Sequence, residues 1–229
     1  MHISATIAPS NLRPQLQPRP KKQLQHIIIR QPLTKEEYYQ MYALRYNVYT
    51  ASGITVAPSM YGGVKIDRDN YDPLSDHWVA FMGDQMIGTL RAISFSPKHP
   101  FLTERLFKVK WPRGVRPEDC VEASRAAVLP AYRTKGVVFQ ALLVAQYFWL
   151  RQKGIKWWIA SLKEELRSHL REHCGLELQE LSGKKQPHCD LYPDYMLNKG
   201  VGAIILEVEK AEPLFLSLKK HLPEGVDFL

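Results

Sequence analysis

Hydrophobic positions along the chain follow two different periods, and this pattern predicts strands and helices that alternate. Short runs rich in β-branched or aromatic residues, bounded by Gly, Pro or charged residues, are typical of strands. Five such runs cover residues 26–31, 77–81, 86–95, 156–161 and 201–209. The second and third runs are separated by a turn around Gly83 and Asp84, which indicates a β-hairpin.

Four other segments repeat their hydrophobic positions every three or four residues, which predicts helices. The first begins at Thr34, because Thr34 and Glu37 have the spacing of a capping box. The other three cover residues 136–152, 162–174 and 213–221. Residues 136–152 are apolar on nearly all sides, so we expect that helix to be buried against a sheet. Residues 50–76, 96–118 and 182–200 contain many Gly, Pro or charged residues and are predicted as loops or crossovers. The fold class is therefore α/β.

Composition and charge limit the kind of protein that this chain forms. With 229 residues, of which 45% are hydrophobic, it can bury one sizeable core. The formal charge is +8, and the first thirty residues supply +5 of it without a single Asp or Glu. We predict a disordered, basic, Pro-rich tail over residues 1–25 and a single domain over residues 26–229.

The same properties exclude several classes. The domain itself is only weakly basic, so we expect no nucleic-acid partner. No apolar run approaches the roughly 18 residues of a membrane span, and no signal peptide is recognised at the start, so we expect a cytoplasmic protein. Three cysteines are too few for a disulfide scaffold.

Residues 120–128 form a sixth strand that carries two opposite charges, Glu122 and Arg125. A charged pair inside an otherwise apolar strand indicates a cleft rather than a sealed core. Arg133 and Gly136 follow in an Arg-x-x-Gly turn that opens the apolar helix. The backbone N–H groups at that helix start would lie just past the strand end, where they can bind a pyrophosphate or a phosphodiester.

Four spaced motifs and the order of the elements together resemble a known family. The motifs are Arg45-x-x-x-Tyr49, Asp67-x-Asp69-x-x-Asp72, Gly88-x-x-Arg91 and Glu122-x-x-Arg125. Residues 27–206 resemble the branch of the GNAT superfamily that contains the acyl-homoserine-lactone synthases and the long-chain N-acyl amino acid synthases. The resemblance implies the GNAT acyltransferase fold, in which helices flank a central mixed, mostly antiparallel sheet.

The resemblance also implies a reaction and a set of site residues. A fatty acyl group would move from an acyl-carrier-protein thioester to the amine of an amino acid, with Glu122 or Asp67 as the base. The implied substrate-binding residues are Arg45, Tyr49, Asp69, Asp72, Arg91 and Arg125. The implied residues for the acyl-thioester and its pantetheine arm are Ala126, Ala127, Val128, Arg133 and Gly136. No permanent cofactor is implied, since acyl-phosphopantetheine is a donor substrate.

The donor and the acceptor each have an alternative. Coenzyme-A-dependent relatives commonly carry a second small residue in the turn, whereas Val137 and Val138 follow Gly136 here, so we favour acyl-carrier protein over coenzyme A. An acyl-homoserine-lactone synthase that uses S-adenosylmethionine is the second reading. The tryptophan that such synthases carry after the first-helix motif is missing from residues 50–63.

Less specific readings stay open as well. The arginines and carboxylates could be a structural ion-pair network, and the Arg133 turn could be an ordinary exposed one. The whole domain could be a non-catalytic GNAT-like module that binds a partner. The basic residues of 105–116, with Arg133 and Lys135, could dock an acidic carrier protein. We expect no metal site, because the His-Cys pairs at 173–174 and 188–189 lack the usual ligand spacing.

Overall fold

The structure is a computed structural model that describes residues 26–54, 58–181, 183–185 and 200–229. The tail predicted over residues 1–25 lies outside these ranges, and so does the 188–189 pair. Twelve strands lie within the described ranges: β1 (Ile27–Arg30), β2 (Ser59–Tyr61), β3 (Val64–Ile66), β4 (Ser75–Met82), β5 (Gln85–Ser94), β6 (Phe107–Val109), β7 (Cys120–Val128), β8 (Trp157–Leu162), β9 (Gln179–Glu180), β10 (Gly183–Lys185), β11 (Gly202–Glu207) and β12 (Val226–Phe228). The helices there are α1 (Lys35–Ala51), α2 (Leu102–Leu106), α3 (Val137–Gln152), α4 (Glu164–Glu172) and α5 (Glu212–His221).

Eight strands form the central sheet in the order β12-β1-β4-β5-β7-β8-β11-β9. The pairings of β1 with β12 and of β7 with β8 are parallel, and the others are antiparallel. The predicted hairpin is confirmed as β4 and β5. This mixed, mostly antiparallel sheet with flanking helices has the architecture of the GNAT fold, as predicted.

Helices cover both faces of the sheet. α3 packs on one face, and its residues Ala141, Leu142, Val144 and Leu150 are fully buried, as the apolar pattern predicts. Phe215 of α5 joins the same cluster. α1 packs on the opposite face, where its residues Met41, Tyr42, Leu44 and Val48 belong to a separate cluster.

Gly88 allows α3 to lie close to the sheet. A Cβ atom at Gly88 would approach Cγ1 of Val138 to 2.9 Å and Cδ1 of Leu142 to 3.2 Å. The first distance is shorter than real Cβ contacts and the second is tighter than most of them, so a larger residue would push the helix away from β5. The glycine of the Gly88-x-x-Arg91 motif therefore has a packing role.

The structure corrects three sequence predictions of irregular backbone. Residues 50–76, predicted as a loop, contain the β2–β3 hairpin, residues 96–118 contain α2 and β6, and residues 182–200 contain β10. The strand β12 was not predicted at all. Each of these elements has five residues or fewer, which is too short to display a period in the sequence. Among the described residues, no helix is long and apolar enough to cross a membrane.

Candidate active site

The parallel pairing of β7 with β8 stops halfway along β7, and a cavity opens at that point. The register runs from Cys120 opposite Trp157 to Ala123 opposite Ala160 and ends there. Beyond it, both strands line a cavity of about 600 Å³, a volume typical of small-molecule sites. Its walls are mostly apolar and include Leu102 and Leu106 of α2, Phe139 and Leu143 of α3, and Leu166 and Leu170 of α4.

A β-bulge in β7 brings both charged residues of the strand to the same face of the sheet. The register with β5 shifts between Thr89 and Arg91, and Arg125 has a φ of +54°. Strict alternation would place Glu122 and Arg125 on opposite faces, because they are three residues apart. The extra residue of the bulge reverses the alternation. The sequence predicted a shared cleft for the pair, but the bulge that makes it possible carries no signal in the sequence.

Arg45 of α1 and Arg91 of β5 share one buried carboxylate, that of Asp72. Nη1 of Arg45 lies 2.6 Å from Oδ1 of Asp72, and Nη1 of Arg91 lies 3.1 Å from the same oxygen. All three side chains are fully buried. Burial opposes the ionisation of Asp72, but the two guanidinium groups outweigh it and hold its pKa well below the ordinary range. Asp72 therefore stays ionised at any ordinary pH and supplies the negative charge that the two arginines share.

His77 of β4 also contacts Arg45, and no pattern in the sequence indicated this residue. Its Nε2 lies 3.1 Å from the carbonyl oxygen of Asp72, and its Nδ1 lies 2.9 Å from Nη2 of Arg45. Burial, together with the charge of Arg45, lowers the pKa of His77 to about 3. A neutral ring fits both contacts, since Nε2 then donates to the carbonyl and Nδ1 accepts from the guanidinium.

Arg125 is held by the other two aspartates of the triplet. Its Nε lies 2.9 Å from Oδ2 of Asp67, and its Nη2 lies 3.0 Å from Oδ1 of Asp67 and 2.9 Å from Oδ2 of Asp69. Asp69 also contacts Nη1 of Arg91 at 2.6 Å. Burial raises the pKa of Asp67, whereas Arg91 and Arg125 outweigh burial at Asp69 and lower its pKa. Three arginines and three aspartates thus form one network whose formal charges balance.

Glu122 lies outside this network, in a different environment. Its Oε1 accepts from the backbone N–H of Thr103 at 3.0 Å and from the Thr103 hydroxyl at 2.7 Å. Its Oε2 is buried and has no hydrogen-bond partner among the described residues. Burial raises the pKa of Glu122 to about 7; the hydroxyl of Thr103, the charge of Arg91 and the backbone N–H groups of Thr103 and Leu102 limit the rise. Glu122 therefore combines a position in the cavity wall with a pKa suited to accepting a proton near neutral pH.

Tyr49 and the end of β7 form the wall opposite α4. The Tyr49 hydroxyl donates to the carbonyl oxygen of Ala126 at 3.1 Å, and burial raises the pKa of this phenol to about 12. Nε of Arg133 donates to the carbonyl oxygen of Val128 at 2.9 Å. The carbonyl groups of Ala126 and Val128 thus have partners outside β5. A strand residue directs its N–H and its C=O to the same side, so the N–H groups of these two residues also face away from β5. Ala127 pairs with Thr89 of β5 instead.

The predicted Arg133 turn lies at the mouth of the cavity, where Arg133 and Gly136 are part of the wall. Lys135 and Gly136 both have positive φ, at +59° and +69°, and α3 begins directly after them. Val138 is buried against β5, so its side chain does not cover the helix start. The steric argument from that valine against a pyrophosphate is therefore not supported by the packing.

Two of the basic residues proposed to dock a carrier protein contact other groups of the chain: Arg116 pairs with Asp119, and Arg133 donates to the carbonyl oxygen of Val128. Among the described residues, no group of three or more His, Cys, Asp or Glu side chains could hold a metal ion. Cys120 is buried, and burial raises the pKa of its thiol to about 12, as expected for a packing residue.

Comparison with known proteins gives one family match. Residues 44–143 match the family model described as acetyltransferase (GNAT) domain. These residues include all four motifs, from Arg45 to Arg125. A search of curated proteins finds no match to the chain.

Solved structures with the same fold include several synthases. A coenzyme-A-dependent acyl-homoserine lactone synthase, BjaI, aligns with a TM-score of 0.62 and 16% identity, over 89% of this chain and 93% of that one. FeeM, an N-acyl amino acid synthase from uncultured soil microbes, aligns with a TM-score of 0.58 and 15% identity, over 85% and 97%. The acyl-homoserine lactone synthase LasI aligns with a TM-score of 0.58 and 16% identity, over 80% and 91%. At these identities the likeness confirms the fold.

Proposed function

We propose that this chain, which carries a GNAT domain, is an N-acyltransferase that moves a fatty acyl group from an acyl-carrier-protein thioester to the amine of an amino acid. One observation carries the proposal: Glu122, a buried carboxylate with an unpartnered oxygen, lies in the wall of a largely apolar cavity at the point where β7 and β8 separate. An acyl chain suits the apolar walls, and amine attack on a thioester needs a proton acceptor beside them.

The proposed reaction uses groups of this chain at each step. The acceptor amine attacks the thioester carbonyl while Glu122 accepts one of its protons. The resulting oxyanion is stabilised by a backbone N–H of β7, at Ala126 or Val128. The C–S bond then breaks, the amide remains, and Glu122 gives the accepted proton to the leaving sulfur, so that a free thiol departs and the carboxylate is restored. We assign the role of base to Glu122 rather than Asp67, because Asp67 is paired with Arg125.

The guanidinium groups have a different role from the one first expected for the acceptor. Each of Arg45, Arg91 and Arg125 contacts at least one aspartate, and the charges balance. A further carboxylate would give this buried, charge-balanced network an excess negative charge, which is costly away from water. We therefore propose that the network holds the loop of residues 67–72 and the first helix against the sheet, and so shapes the cleft.

The donor's pantetheine arm is proposed to lie along the part of β7 that β8 leaves unpaired. Its phosphate would then reach the Arg133 turn and the start of α3, where backbone N–H groups and the helix dipole favour an anion. The preference for acyl-carrier protein rests on the sequence resemblance. BjaI, one of the aligned structures, is described as coenzyme-A-dependent.

The second candidate is acyl-homoserine-lactone synthesis from S-adenosylmethionine, which the aligned synthases of that class favour. Purified full-length protein is mixed with a decanoyl-acyl-carrier-protein or decanoyl-coenzyme A, and with an amino-acid mixture or S-adenosylmethionine. Mass spectrometry of the products should show a linear N-acyl amino acid. A homoserine lactone would select the second candidate. If neither donor yields an amide or releases a thiol, the non-catalytic GNAT-like module becomes the better interpretation.

A further inference from the structure

A hydroxyl bridge connects the two strands that separate at the cavity, and Thr103 is its central residue. The Thr103 hydroxyl lies 2.7 Å from Oε1 of Glu122 on β7 and 2.8 Å from the hydroxyl of Ser161 on β8. Thr103 is fully buried, and Glu122 and Ser161 both line the cavity. On β7 the bridge starts at Glu122, one residue before the last paired position, Ala123, and on β8 it ends at Ser161, one residue after the last paired position, Ala160.

The surroundings of Thr103 hold it rigidly. Leu102 and Leu106, its neighbours on α2, are buried in the cluster between the sheet and β6. Glu104 connects the start of α2 to Trp111, because its carboxylate accepts from the backbone N–H of Phe101 at 2.9 Å and from the indole N–H of Trp111 at 3.2 Å. A donor held in this way can fix the orientation of its acceptor.

The two carboxylate oxygens of Glu122 differ in the number of hydrogen bonds that they accept. Oε1 receives both the backbone N–H and the hydroxyl of Thr103, whereas Oε2 receives no hydrogen bond from the described residues. Two donors on one oxygen fix the plane of the carboxylate. The second oxygen has no hydrogen-bond donor among the described residues and belongs to a side chain that lines the cavity.

We propose that Thr103 is a positioning residue for acyl transfer: its hydroxyl holds Oε1 of Glu122 so that Oε2 is presented to the acceptor amine. This inference rests on the proposed function, in which Glu122 is the base. Thr103 does not touch the reacting atoms. The charged and titratable groups that interact with Glu122 are Arg91 of β5 and Tyr71 of the loop before β4.

Thr103→Val removes the hydroxyl at nearly constant volume and keeps the backbone N–H. A hydrogen bond to a charged group is lost, so the midpoint of the Glu122 carboxyl titration should rise by about one unit or more. The rise follows because the lost bond favoured the ionised form. Turnover at neutral pH should fall about tenfold or more, and the acidic limb of the pH–rate profile should move upward by the same amount as the midpoint. Thr103→Ser keeps the hydroxyl and should restore both values.

The matched control is Thr89→Val. Thr89 is a fully buried threonine of β5, and its hydroxyl has no partner among the described residues. This variant makes the same chemical change in the same sheet without touching Glu122, so the midpoint should stay at the value of the unmodified protein. If Thr103→Val does not fold by circular dichroism, Thr103→Ala removes the same hydroxyl and takes its place.

The midpoint is measured by carbon-13 NMR on glutamate-labelled full-length protein, and the Glu122 signal is identified by its loss in Glu122→Gln. This measurement needs no substrate, so it separates the two proposals. An upward shift in a chain that transfers no acyl group would support the role of Thr103 in orienting Glu122 and overturn the proposed function. An unshifted midpoint in a folded Thr103→Val variant, or a Thr103→Ser variant that behaves like the valine, would overturn the positioning role.

Discussion

Replacing Glu122 by glutamine should reduce activity and stabilise the fold at the same time. The substitution keeps the size of the side chain and removes the ionisable group. If Glu122 is the base, turnover at pH 8 should fall about a hundredfold or more, since a positioned base contributes roughly two to four powers of ten.

The stability change can be worked out from the pKa. Glu122 has an ordinary pKa of 4.5 and a pKa of about 7 in the folded protein, because it is buried. The folded protein thus binds this proton more tightly than the unfolded chain does. The stabilisation by the proton is complete below pH 4.5 and is lost as the pH rises to about 7. The difference corresponds to about 3 kcal/mol at pH 8. Glutamine does not ionise, so the Glu122→Gln variant does not lose this stability as the pH rises.

We therefore expect Glu122→Gln to gain up to about 3 kcal/mol relative to the unmodified protein between pH 4.5 and pH 8. Urea unfolding at a series of pH values measures this change, and product formation followed by mass spectrometry measures turnover. Glu209→Gln is the matched control, because Glu209 is exposed just after β11 and the substitution removes the same charge. That control should keep its turnover.

Two results would contradict this reasoning. Turnover within about twofold of the unmodified protein would remove Glu122 from the role of base. A stability difference between the two proteins that is the same at pH 5 and at pH 8 would show that the buried carboxylate is not destabilised by its charge.

Three further predictions test the network, the packing and the cavity. Asp72→Asn leaves two buried arginines without their shared carboxylate and should destabilise the fold by about 3–5 kcal/mol in urea unfolding; a loss below 1 kcal/mol would contradict the network's structural role. Gly88→Ala should cost about 1–3 kcal/mol, because its Cβ would meet Val138 at 2.9 Å, and a neutral effect in the same assay would show that α3 moves away easily. Leu166→Trp should narrow the cavity and shift the products to shorter acyl chains, as judged by mass spectrometry, whereas Leu216→Trp, on the exposed side of α5, should not. An unchanged chain-length distribution for Leu166→Trp would place the acyl chain elsewhere.

The order of the long elements could be predicted because each one shows its period in the sequence. The strand at β1, the β4–β5 hairpin, β7, β8 and β11 all appear at the predicted places, and so do α1, α3, α4 and α5. The short elements β2, β3, β6, β10, β12 and α2 were missed. Their backbone is fixed by partners elsewhere in the chain, such as β1 beside β12, and a window of three to five residues carries no record of such a partner.

The candidate site was predicted only in part. Glu122 and Arg125 stood out because they are charged residues inside an apolar strand, and an unpaired buried charge is costly. Arg45 and Arg91 were named through the family motifs. The same argument could not find His77, which resembles an ordinary residue at a strand start. It also could not rank Glu122 above Asp67, since that ranking depends on which carboxylate has an arginine beside it.

The α/β class, the helix buried on the sheet and the need of the β7 charges for partners could be predicted from the amino-acid pattern, because they follow from periodicity and from the cost of burying charge. The partners of those charges depend on the fold. The bulge at Arg125 turns it toward Asp67 and Asp69, and α2 brings Thr103 against Glu122 from nineteen positions away in the chain. Contacts between distant residues depend on register and packing, and a local pattern in the chain contains neither.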